Sequence, residues 1–306
     1  MKEKKLVSLV VYLNNNENTI APFLEKITQT VDDYFEKFEL IIVNDFSVDN
    51  SVKVIRQLDF LKNHQVSIIQ MSFHQGLELS MNAGIDLSSG DFVYEFDSVI
   101  IDYELDLIIK AYKKLLQEFD IVTISPTNSN SLNSKLFYLT YNYFSKSEFK
   151  LKTDRFRVLS RRAINRSFSI SATIPYRKAM YINSGLKMYS FDYKSNLKNI
   201  KITEKGHFRN KTAIDSLIIY TNFAFKIAFS ISVAMFLLTL MVLLYTFFIY
   251  FGKNKPIEGW TTIMLLMATG FSGFFFLTAI IIKYLSLSLE LIFKKKSYIH
   301  GNIEKF

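Results

Sequence analysis

The chain has 306 residues, room for one large domain or two small ones, and its 37 Lys+Arg against 28 Asp+Glu leave a net charge of +9. There is no cysteine, which excludes disulfides, thiolate nucleophiles and thiolate metal sites. The charge is uneven, with 14 Lys+Arg against 21 Asp+Glu in residues 1–150 and 23 against 7 in residues 151–306, and since no recognition motif accompanies the basic half, nucleic acid is not expected as a partner.

The first predicted element is a strand, LVSLVVYL at 6–13, which runs into NNNEN and carries no small-residue cleavage site, so it is not a signal segment. A helical stretch follows from Glu17 to about Glu36. FELIIVND (38–45) reads as the second strand and Asp49 to about Leu61 as the second helix. VSIIQM (66–71) and a helix from Gly76 to about Leu87 come next. DFVYEFD (91–97) precedes a helix from about Tyr103 to Leu116, and DIVTIS (120–125) closes the series. Short apolar strands alternating with helices predict a mostly parallel sheet covered on both faces. Ligands of such sheets bind beyond the carboxyl ends of the strands, where Asn14, Asn15, Asp45 and Asp97 fall. No Gly-x-Gly-x-x-Gly follows the first strand and no Gly-Lys-Ser/Thr loop is present, which argues against a dehydrogenase and a P-loop nucleotidase.

Beyond residue 150 the pattern changes. Residues 151–211 form a basic segment with 15 Lys+Arg against 3 Asp+Glu. Residues 212–225 read as an interfacial helix. The runs 227–252 and 261–282 carry no charge and are long enough to predict two transmembrane helices joined by a short Pro- and Gly-containing linker. Positive charge flanking the pair at 201–211 and 283–296 predicts that both termini face the cytosol, with residues 283–306 as a basic tail. The expected location is therefore the inner cell membrane, with two spans and the bilayer itself as a partner. Homo-oligomerisation is left open.

Several segments resemble family 2 glycosyltransferases of the GT-A fold. VSLVVYLNNNENTI is similar to the family's first strand and Asn-Glu loop, and FELIIVNDFSVDNS to its Asp-Asp-Gly-Ser-x-Asp segment. GLELSMNAGIDLSSGDFVYEFD resembles the run into the Asp-x-Asp motif, and FRVLSRRAI a Phe-Arg-Leu-x-x-Arg element beyond the sheet. EGW…KYLSLSLELIFKKKSYI resembles the hairpin and basic tail of the membrane-anchored branch that loads a sugar onto a polyisoprenyl phosphate. The resemblance implies a cytosolic GT-A domain over 1–211 followed by a two-helix transmembrane hairpin. It implies inverting transfer of a sugar from a nucleotide-diphosphate donor, UDP-linked, to a polyprenyl phosphate at the cytosolic face. By the same likeness Asn15, Glu17, Asp45 and Asp97 would bind the nucleotide-sugar. Asp97 and Asp154 would be catalytic, and Arg157, Arg161 and Lys211 would hold the lipid phosphate. A Mg²⁺ or Mn²⁺ ion would sit on Asp97, with Asp102 or Glu95 supplying a second oxygen, because carboxylate oxygens are the natural ligands of hard cations.

The sequence departs from the family's pattern inside the site. Val99 replaces the second Asp of the metal motif, and Ile101 the Gln beyond it. Asn44 and Phe46 replace the first Asp and the Gly of Asp-Asp-Gly-Ser, the first loop reads Asn14-Asn15-Asn16 before Glu17, and Phe73-His74 stands where the family has Arg-Asn. These departures keep an alternative open, a catalytically degenerate relative that serves as a membrane subunit or regulator.

Overall fold

The computed structural model describes residues 2–128, 132–145, 147–170, 176–195 and 300–305, together with scattered positions between 214 and 288. Its chain contacts define two compact units, Met1–Ser216 with Lys294–Phe306, and Leu217–Phe293.

In the first unit the chain alternates as the sequence predicts. Strand β1 (Val7–Leu13) leads to helix α1 (Ile20–Tyr34), β2 (Phe38–Asn44) to α2 (Ser51–Arg56) and a 3-10 turn at Asp59–Asn63. Strand β3 (Gln65–Met71) leads to α3 (Leu77–Leu87), and β4 (Phe92–Phe96) to α4 (Asp106–Leu115). After β5 (Ile121–Pro126) come α5 (Leu132–Phe144), β6 (Phe156–Ser160), α6 (Arg161–Ile170), α7 (Arg177–Ile182) and β7 (Met188–Tyr193), and β8 (His300–Lys305) is the last strand described. Helix α1 forms because Ile20, Phe23, Leu24, Ile27 and Val31 recur at helical spacing and all bury on one face. Helix α4 does the same with Leu107, Ile108, Ala111, Tyr112 and Leu115.

The strands make one mixed sheet in the order β7-β5-β6-β4-β1-β2-β3-β8. Strands β3, β2, β1 and β4 run parallel, while β6 is antiparallel to both β4 and β5. The Phe-Arg segment expected beyond the sheet is thus one of its interior strands, slotted between β4 and β5. Alternation along the strands separates two faces. Leu9, Val11, Leu40, Ile42, Tyr94, Phe96, Phe156 and Val158 belong to the main apolar cluster with α1 and α4. The intervening positions include Val10, Ile41 and Val43, which lie under Gly84 of α3, and the buried pair Glu95 and Arg157.

The transmembrane expectation is corrected. Among the described residues no helix is long and apolar enough to cross a membrane. Crossing requires about 20 residues in one unbroken helix, and the longest element described, α1, has 15 and packs on the sheet. A charge-free run measures hydrophobicity alone and does not specify such a helix. The two-helix hairpin, the multi-pass inner-membrane location, the bilayer as a partner and membership of the membrane-anchored polyprenyl-phosphate branch rested on those runs and go with them. The predicted spans 227–252 and 261–282 lie largely outside the described residues, and Lys211 lies outside them entirely. From the stretch read as a basic tail, residues His300–Lys305 are described as an antiparallel edge strand on β3.

Candidate active site

The carboxyl ends of β1, β2 and β4 lie side by side, and the loops that leave them form the rim of the site. The first two loops brace each other. Asn15 occupies the left-handed region at φ 53°, which turns its amide toward the β2 loop. Its backbone N–H donates to Ser47 Oγ at 3.0 Å, and its side-chain oxygen accepts from the Val48 N–H at 2.9 Å. Glu17 accepts from the backbone N–H of Asn50 at 3.0 Å. Asp45 is fully buried and accepts from Tyr12 Oη at 2.9 Å, Gln75 N at 2.7 Å and Gly76 N at 2.9 Å, with His74 Nδ1 also 2.9 Å away. The structure therefore gives Asp45 the task of pinning the loop that starts α3. Phe46, at φ 56°, holds its ring half exposed at the same rim.

Below the rim, Asp97 directly follows β4 and is enclosed by cations. Arg157 reaches it from the neighbouring strand β6 through Nη2, and Arg177 reaches it from α7, Nη2 to Oδ1 at 2.7 Å. The same two guanidinium groups meet on Glu95, at 2.6 Å from Arg157 Nη1 and 2.7 Å from Arg177 Nη1, and Tyr181 donates its hydroxyl to the other Glu95 oxygen. Arg157 Nε also donates to Asp154 at 3.0 Å, and Arg177 Nε to Glu78 at 2.9 Å. Lys178 completes the group, ion-paired with Asp154 and 4.0 Å from Asp97. Arg157 and Arg177 have no exposed surface, whereas the Lys178 side chain is 13% exposed. Lys178 also lines a small pocket shared with Thr123, Ser125, Lys150, Asp154 and Tyr181.

The electrostatics follow from this packing. Burial alone would raise the Asp97 pKa, but Arg157, Arg177 and Lys178 outweigh it and hold the carboxyl well below the usual carboxylate range. At Glu95 the balance reverses, and complete burial pushes the pKa up despite the same two arginines. Burial would depress Lys178, yet the Asp154 charge raises it, so the ammonium stays protonated.

The other expected residues are placed elsewhere or otherwise engaged. Asp102 receives Arg155 at 2.9 and 2.8 Å, Tyr193 Oη at 2.7 Å and Ser195 Oγ at 2.6 Å, a buried tie between the β4 loop and β7. Arg161 follows the end of β6 that pairs with the start of β4, bonding the Gly90 carbonyl at 3.0 Å through Nε. Arg157 and Arg161 are thus separated by most of a strand, on the order of 13 Å at about 3.3 Å per residue, and are not brought together. Sequence reasoning missed Arg177, Lys178, Tyr181 and Glu78. One signal was available: Glu95 in FVYEF and Arg157 in FRVLS are charges at alternate positions of otherwise apolar strands, which demands a buried partner for each.

A divalent cation on Asp97 does not fit these residues. Both Asp97 oxygens accept from guanidinium, Glu95 and Asp102 are likewise committed, and Val99 is buried in the apolar cluster. Among the described residues no three His, Asp or Glu side chains are grouped to hold a metal.

A strand-end site on a half-parallel sheet places the protein among the α/β domains that hold ligands beyond the carboxyl ends of their strands, and comparison narrows it. The family model for glycosyl transferase family 2 matches residues 8–184, more than half of the chain. The uncharacterized glycosyltransferase YkcC of Bacillus subtilis (strain 168) is 22% identical over 279 residues, 87% of this chain and 84% of that protein. The undecaprenyl-phosphate 4-deoxy-4-formamido-L-arabinose transferase of Aeromonas hydrophila is 25% identical over 120 residues, 39% of this chain and 36% of its own length. Among solved structures, glucosyl-3-phosphoglycerate synthase of Mycobacterium tuberculosis, in complex with Mn²⁺, UDP and phosphoglyceric acid, aligns with a TM-score of 0.50 at 14% identity, over 70% of this chain and 78% of that one. At that identity the likeness is one of fold. The chain belongs to glycosyl transferase family 2, and it is a glycosyltransferase of the hexosyl kind that draws on a nucleotide-diphosphate sugar.

Proposed function

We propose that the protein transfers a hexosyl group from a UDP-linked donor to the phosphate of a polyprenyl phosphate, with inversion at the anomeric carbon. The observation that carries this reading is the pairing of every carboxylate around Asp97. Glu95, Asp97 and Asp154 each accept from Arg157, Arg177 or Lys178, so none presents a free oxygen to act as a general base. A hydroxyl acceptor needs such a base to remove its proton. A phosphate monoester carries its anionic oxygen already at neutral pH and needs none. The undecaprenyl-phosphate acceptor in the name of the Aeromonas relative points the same way.

In one displacement the acceptor phosphate oxygen forms a bond to the anomeric carbon as the bond to the donor diphosphate breaks. Attack opposite the leaving group inverts the configuration. Asn15 and Glu17, on the braced rim loops, would face the nucleoside. The arginines would fix Asp97 beneath the diphosphate.

The test is a transfer assay. The purified protein is incubated with undecaprenyl phosphate and, in turn, UDP-glucose, UDP-galactose, UDP-N-acetylglucosamine and GDP-mannose, and lipid products are read by mass spectrometry. The expected result is a hexosyl phospholipid from a UDP-sugar, with the anomeric configuration opposite to the donor's. Transfer only to hydroxyl acceptors, or no lipid product with any donor, would contradict the proposal.

A further inference from the structure

The mismatch between the Asp97 environment and a divalent cation has a chemical consequence. Departure of a nucleoside diphosphate leaves negative charge on its terminal phosphate, and some positive group must meet it. We infer that Lys178, backed by Arg157 and Arg177, supplies that charge in this protein in place of a metal ion held by Asp97. The inference rests on the donor reading given above.

Three observations carry it. First, the positions around Asp97 that a cation would fill are taken by guanidinium nitrogens, 2.7 Å away in the case of Arg177, so a metal would have to displace two buried arginines that also hold Glu95. Second, the three cations differ in access. Arg157 and Arg177 are fully enclosed and spend their donors on Glu78, Glu95, Asp97 and Asp154, which makes them positioning residues. Lys178 and Arg157 both line the adjoining pocket, but of the two it is Lys178 whose side chain is exposed, at 13%, and Arg177 is not on the lining. Third, Lys178 has somewhere to move from. Its partner Asp154 keeps the Arg157 Nε bond at 3.0 Å when the ammonium turns toward an incoming phosphate, so the move leaves no carboxylate unpaired. An ammonium on a flexible stem suits this task better than a second enclosed guanidinium.

The test is calorimetric titration of the purified full-length protein with UDP and UMP, each with EDTA and again with MnCl₂. We expect UDP affinity in EDTA to lie within about threefold of that in Mn²⁺. Lys178→Gln should weaken UDP by tenfold or more while shifting UMP, which lacks the terminal phosphate, by less than threefold. Lys178→Arg should recover part of the loss. A tenfold or greater gain in UDP affinity with Mn²⁺, or loss of the free Mn²⁺ electron paramagnetic resonance signal on adding the protein with UDP, would overturn the inference and leave the donor reading standing. So would normal UDP binding by Lys178→Gln. Failure to bind UDP, GDP or CDP in either condition would overturn both.

Discussion

At the scale of single residues, the central fact is that Asp97 is present and yet committed. An Asp at a strand end reads as a metal or phosphate ligand, but the meaning of a carboxylate is set by what surrounds it. Restoring the family's second Asp illustrates the point. Val99 is 5% exposed and packs in the apolar cluster with Phe96 and Tyr103. Val99→Asp would bury an unpaired charge at a cost of about 3–5 kcal/mol, the scale of a buried charge left without its partner. The expected outcome in urea unfolding is a loss of that order, with no recovery on adding Mn²⁺. A variant as stable as the parent and further stabilised by Mn²⁺ would show that position 99 faces the site. The same cluster governs acid stability. Asp97 is held below its ordinary range when folded, so its contribution is complete above the unfolded-chain value and is lost as pH falls through the folded one. Glu95, raised by burial, acts oppositely, its contribution being present at low pH and lost as pH rises through its folded value. Asp97→Asn should therefore flatten the fall in unfolding free energy below about pH 4. An unchanged pH profile would mean that Asp97 titrates alike in both states.

At the scale of elements, the site depends on how closely α3 approaches the sheet. A Cβ at Gly84 would collide with Val10 Cγ1 and lie 2.7 Å from Val43 Cγ2, so α3 can rest on β1 and β2 only with glycine there. Helix α3 carries Glu78, which anchors Arg177. Gly84→Ala should cost about 1–3 kcal/mol by overpacking and weaken UDP binding through the displaced arginine. Calorimetry and urea unfolding on one sample read both, and stability and binding equal to the parent's would contradict this coupling. The elements also show what sequence could convey. The β1 to β4 half with α1 to α4 was legible because each strand is a short apolar run and helices α1 and α4 repeat apolar residues at helical spacing. The insertion of β6 between β4 and β5 was not, because local pattern carries no information on which strands pair. Arg177 and Lys178 escaped for a related reason: α7 has six residues, too few for a periodic signature. Asp97 itself was legible from its strand end, and its enclosure was not.

At the scale of the molecule, the described C-terminal strand returns to the outer edge of β3, pairing Ser67 with Lys305 through Met71 with His300. An uncovered strand of seven residues would offer its backbone to other chains. Removing residues 300–306 should therefore increase self-association, read as a concentration-dependent rise in light scattering. A monodisperse truncated protein would show the edge to be protected by other means.

Lys178 is the cation that links the enclosed Asp97 cluster to the proposed chemistry. The most direct test is single-turnover hexosyl transfer by the Lys178→Gln protein, using the UDP-sugar that the parent protein accepts and saturating both substrates. Loss of a preorganised charge at the leaving group typically costs about 10²–10³ in rate. The account predicts a loss of that size, with an unfolding midpoint within a few degrees of the parent's, because Asp154 keeps Arg157. A Lys178→Gln protein that transfers sugar at the parental rate would contradict it.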